Sequence, residues 1–155
     1  MADVQMPAWI QMLAALLTPT IAVAGVYFAR QQWKTNRNKL KLELFERRYA
    51  FYEAAMNHIG TILTSGVATS TRNLDFLVKT RGAQFIVGKE IADYFDKELY
   101  IKASLLESLE SELKGLAAGP ERTENVRQQR ELKDWLQEQH KVLDSLFSGM
   151  LKLEH

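Results

Sequence analysis

From Val4 to Ala29 the chain runs 26 residues without a charged side chain. About 20 such residues suffice to cross a hydrocarbon core, so the run predicts a transmembrane helix. Ala8 to Ala29, 22 residues, would be about 33 Å long as a helix. Trp9 stands at one boundary and Tyr27 and Trp33 at the other, where amphipathic rings prefer to lie. A second pattern lies inside the first. Ala8, Gln11, Ala15, Thr18, Ala22, Gly25, Ala29, Gln32 and Asn36 recur three and four apart, and all are small or neutral-polar. Bulky Trp9, Leu13, Leu16 and Tyr27 fall off that stripe. A slender face lets helix backbones approach closely in lipid, which predicts self-association. With one span per chain, the partner is another copy. In a small oligomer the stripe (Gln11, Ala15, Thr18, Ala22, Gly25 and Ala29) is a packing seam. In a larger one it would line a pore, with Ala15 and Ala22 as narrow apolar collars. Pro19 removes a backbone donor and crowds the carbonyl of Ala15, which predicts a kink and a candidate hinge.

Beyond Ala29 the pattern changes. Arg30, Lys34, Arg37, Lys39 and Lys41 follow without an acid between them, and residues 30–48 hold seven bases against Glu43 and Glu46. A basic collar at one end of a span sets its orientation, N-terminus outside and C-terminus cytoplasmic. Its natural partners are anionic lipid head groups. Residues 1–30 therefore read as the transmembrane helix and 31–152 as a cytoplasmic helical bundle. Leu153-Glu154-His155 reads as a tag remnant.

Good helix formers dominate Gln31 to Ala55, so the span is expected to continue as one long helix. Leu42, Phe45, Tyr49, Tyr52, Met56, Ile59 and Leu63 are spaced as a core face, with Glu46, Arg47 and Arg48 toward water. The polar stretch 64–71 predicts a break, and 72–79 a short helix. Phe85-Ile86-Val87 is β-prone but too short for a sheet. A helix is expected over 89–116, with Ile91, Tyr94, Phe95, Leu99, Leu105, Leu106 and Leu109 as its apolar positions. The Ala117-Ala118-Gly119-Pro120 turn ends it. The last helix is placed at 124–151, with Leu132, Leu136, Gln139, Leu143, Leu146 and Met150 at heptad spacing. The fold class is all-α: one N-terminal span continuing into a long cytoplasmic helix, packed in a small bundle.

Absence of cysteine excludes disulfides and thiolate metal sites. His58 and His140 lack metal-ligand spacing. No nucleophile elbow, Walker loop or dinucleotide fingerprint is present. Glu90, Asp93 and Asp96 alternate with Lys89 and Lys97 as on a solvated helix face. The expectation is a protein that is not an enzyme and needs no cofactor or metal. Residues 89–155 hold fourteen acids against ten bases, which argues against binding duplex nucleic acid. Arg72, Lys79, Arg81 and Lys89 surround the breaks between helices and form a weak candidate site for a small anionic ligand.

The string from Gln31 to Arg48 resembles a widespread, largely uncharacterised family of small bacterial inner-membrane proteins. The stretch Phe85 to Tyr94, and Asp134-Trp135-Leu136 before Phe147, resemble the same family. The resemblance implies the bacterial inner membrane and says little of activity. The layout is also similar to that of transmembrane effectors of phage defence, some of which form channels. The expected function is a homo-oligomeric gated pore. The rival is a membrane-anchored scaffold or adaptor that recruits a cytoplasmic protein.

Overall fold

A computed structural model describes residues 7–152; the side chains of residues 8 and 13–20 lie outside the description as well. The described residues form helices and no strand. Two compact units are present, Met1–Leu42 and Glu43–His155.

Helix α1, Ala8–Ser65, belongs in part to each unit. Its backbone is helical without interruption, as the absence of strong breakers after Ala29 predicts. In the first unit every side chain from Ile21 to Leu42 is exposed. Among the described residues no helix is long and apolar enough to cross a membrane.

The second unit is a small helical bundle. After the C-terminal turns of α1 come α2 (Ser70–Thr80), the single turn α3 (Ala83–Ile86) and α4 (Lys89–Tyr94). A π-helical segment, Phe95–Tyr100, joins α4 to α5 (Ile101–Leu113), and α6 (Pro120–Ser148) closes the bundle. Gly66, Gly82 and Gly88 mark the turns with positive φ. That backbone region strains other residues, so helices stop there. Phe85-Ile86-Val87 takes a helical turn and its boundary, not a strand, and leaves Phe85 80% exposed. Helix α6 starts four residues earlier than expected, at Pro120. Proline at the first helical position loses no needed donor and already has a helical φ.

The core unites α1, α2, α4, the π segment, α5 and α6. Ala55, Ile59 and Ile62 meet Phe76, Phe95, Leu99, Leu106, Leu136, Leu143 and Phe147. The expected core face of α1 is corrected at its start. Leu42 and Tyr49 are 48% and 44% exposed, and burial begins in earnest at Ala55. Phe45 and Tyr49 instead stack on each other, with ring centroids 6.1 Å apart. Arg48, expected toward water, is half-buried and donates from Nη1 to the Met150 carbonyl at 3.4 Å. On α5, Leu105, expected as a core position, is exposed and Ala103 is buried.

The π segment has a physical reason in the sequence. Ile91, Phe95, Leu99 and Ala103 are all buried and lie four residues apart. On an α-helix a repeat of four drifts about 40° per step, because 3.6 residues make a turn. A wider π turn cancels that drift and keeps the four side chains on the core.

Candidate functional site

Two places bear on function, one in each unit. The first is the surface of α1. Ile21, Val23, Val26, Tyr27 and Phe28 are large, apolar and exposed, and they occupy several sides of the helix. Val23 is 71% exposed. A helix apolar all round is one that meets an apolar environment or other helices. Ala22, Gly25, Ala29, Gln32 and Asn36 keep their expected common face, because the backbone is helical throughout. A Cβ added at Gly25 would meet nothing within 4 Å in this chain. Glycine inside a helix costs about 1 kcal/mol relative to alanine. Among the described residues nothing in the chain occupies the space a side chain at Gly25 would take.

The collar is also on the surface. Arg30, Lys34, Arg37, Lys39 and Lys41 are exposed, and the Arg37 guanidinium lies 5.6 Å from the Trp33 ring centroid. Such a pair suits a head-group layer, where rings and cations both find partners. Gln11 is exposed. The expectations for the side chains of Ala15, Thr18 and Pro19 lie outside the described residues.

The second place is in the bundle. The candidate cluster of Arg72, Lys79, Arg81 and Lys89 is divided by the fold. Arg72 and Lys79 line a small cavity between α1 and α2, of about 130 Å³, together with Asn57, His58, Thr61 and Asp75. Arg81 lines a different cleft, beside Asp93 and Asp96, and Lys89 lines neither. This corrects the grouping of four. Helix periodicity places Arg72 and Lys79 seven residues apart on one face of α2, whereas Arg81, the C-cap two residues beyond Lys79, points to the opposite side.

His58 is the member that charge counting missed. It is 5% exposed, and its ring stacks on Phe76 with centroids 4.4 Å apart and planes 8° from parallel. Its Nε2 is buried without a hydrogen-bond partner. Burial holds the imidazole down at about 4, opposed by the nearby Asp75 carboxylate. The ring is therefore neutral at physiological pH. The Arg72 guanidinium donates from Nη1 to Ser65 Oγ at 3.0 Å, and Lys79 pairs with Asp75 at 2.8 Å.

A larger groove, of about 710 Å³, lies where loop 66–69 meets α5 and α6. Its polar groups are mostly committed to holding the loop. Lys133 donates to the Gly66 carbonyl at 2.6 Å and pairs with Glu110 at 3.3 Å. Glu110 also accepts from the Ala68 N–H at 2.9 Å, and Glu107 accepts from Ser70 and Asn73. The groove thus explains how the polar stretch is held and suggests no chemistry. Among the described residues no group of three or more His, Asp or Glu could hold a metal ion. His140 Nδ1 instead lies 3.3 Å from Met56 Sδ. No family model, curated protein or solved structure matches the chain.

Proposed function

We infer that this chain is a homo-oligomeric protein of the bacterial inner membrane whose N-terminal helices together form a gated pore. The uncharged run Val4–Ala29 crosses the bilayer, the N-terminus is outside, and the helical bundle is cytoplasmic. The single observation that carries the reading is the surface of α1. It has exposed apolar side chains on several sides and a slender face around Gly25 that no described residue of its own chain fills. Lipid accounts for the first feature and neighbouring copies for the second. The stripe of Gln11, Ala15, Thr18, Ala22, Gly25 and Ala29 meets its counterparts around a lumen lined by Gln11, Thr18 and Gly25, with Ala15 and Ala22 as narrow apolar collars, and Pro19 permits bending. The collar Arg30, Lys34, Arg37, Lys39 and Lys41 anchors in anionic head groups. Opening dissipates ion gradients, as a phage-defence effector of this layout would. No catalytic step and no cofactor enters the reading.

The rival is a membrane-anchored adaptor. It is favoured by the exposed Leu74 and Val78 on α2, four residues apart and 54% and 69% exposed, which give the bundle an apolar strip of its own. Reconstitution of the purified protein in planar bilayers separates the two. Unitary currents that change in Thr18→Leu support the pore. Protein inserted and oligomeric yet silent supports the adaptor. Protein that leaves membranes in carbonate without detergent overturns both.

A further inference from the structure

We propose that the cavity between α1 and α2 is a binding site for a small oxyanion, a carboxylate or inorganic phosphate, held by Arg72, His58 and Lys79. A guanidinium presents five N–H donors in a planar fork. Arg72, exposed on α2, spends one nitrogen on Ser65 Oγ and, among the described residues, has no carboxylate partner, so its other donors face only solvent and can turn to a ligand. His58 lines the same cavity, and its Nε2 is buried with no partner. Leaving a buried polar atom unpaired costs about 1–3 kcal/mol, so a core imidazole without a partner calls for an explanation. An oxyanion supplies one to both groups. Two of its oxygens fit the Arg72 fork, and a further lone pair accepts from His58 Nε2–H in the tautomer that carries the proton there.

Charge and size narrow the ligand. The lining holds two cations, Arg72 and Lys79, and one anion, Asp75, which pairs with Lys79. With His58 neutral, one positive charge is left over. Asn57 and Thr61, the polar residues on the α1 side besides His58, carry no charge, and the Thr61 hydroxyl already donates to the Asn57 carbonyl at 2.6 Å. A metal cation finds too few acidic ligands here. A nucleotide needs several hundred cubic ångströms, and the cavity offers about 130 Å³. A ligand of a few heavy atoms remains.

The site stands independently of what α1 does in a membrane, and so does its test. The full-length protein in detergent is titrated with inorganic phosphate or with acetate, while the His58 Cε1–H resonance is followed by NMR. Sodium chloride at matched ionic strength is the control. A saturable shift with either oxyanion, absent with chloride, is expected. Arg72→Gln should weaken binding about tenfold or more, as the loss of a charge-assisted contact does. Arg81→Gln, in the other cleft, should leave it unchanged. His58→Phe, which keeps a ring on Phe76, should weaken phosphate-induced thermal stabilisation. No saturable shift with either oxyanion overturns the proposal. So does a response equal to that with chloride, or one undiminished in Arg72→Gln. Which oxyanion saturates first names the ligand class.

Discussion

His58 shows how one side chain can tie acidity to stability. Burial in the core holds its folded value at about 4, below the ordinary 6.5. Between those values the unfolded chain binds more protons than the folded one. The stability that depends on a neutral His58 is therefore complete above about pH 6.5 and is lost as the pH falls toward about 4. The loss is on the order of 3 kcal/mol. His58→Phe keeps the stacking on Phe76 and removes the titration. Denaturant midpoints measured at about pH 7 and about pH 4 should differ less in this variant than in the parent. An unchanged difference would show that other groups carry the acid sensitivity. Tyr52 behaves oppositely. Its hydroxyl donates to Asp144 Oδ1 at 2.6 Å, and that bond to a carboxylate, helped by partial burial, pushes the phenol up to about 12. Tyr52→Phe should cost about 1 kcal/mol in chemical denaturation, modest because the pair is exposed.

At the scale of elements, two glycines in one helix make a controlled comparison. A Cβ at Gly25 or at Gly60 would meet nothing within 4 Å in this chain. Gly60 lies in the bundle portion of α1, so Gly60→Ala should stabilise the fold by about 1 kcal/mol in thermal or denaturant unfolding. Gly25→Leu tests the seam. It should leave the bundle's unfolding unchanged and weaken self-association about tenfold, read by sedimentation in detergent. Equal association of Gly25→Leu and the parent would remove the seam. The π segment makes a third element. Leu99 is fully buried in it and belongs to the repeat of four that the wide turn keeps in register. Leu99→Ala should destabilise the bundle by about 2–5 kcal/mol, as a cavity in a packed core does.

At the scale of the whole molecule, the proposal stands on copy number. The absence of native cysteine allows single substitutions to map the seam. Ala22→Cys should form a disulfide-linked dimer on mild oxidation in membranes, and Val23→Cys, off the stripe, should not. The reverse result would place the contact on the bulky side. Four or more copies in a nanodisc would keep a lumen open, and two or three would pack shut.

Much of the architecture could be read along the chain, because helix periodicity and glycine or proline punctuation are local signals. The all-α class, the unbroken α1, the short helix after the polar stretch and the stop before Pro120 all follow from neighbours within a few residues. The slender stripe is equally local, since an unbroken helix preserves its spacing. What only the tertiary structure decided depends on packing between distant segments. It set the point within the second unit at which α1 begins to be buried, Ala55 rather than Tyr49, because burial needs segments distant in sequence beside it. It divided the four basic residues, Arg72 and Lys79 in one cavity, Arg81 in another cleft and Lys89 in neither, because the direction each takes from its helix decides where it points. It also brought His58 against Phe76, 18 positions along, and next to Arg72. No pattern of spacing marks an imidazole as buried and unpartnered, because that property belongs to its surroundings and not to its neighbours in the chain.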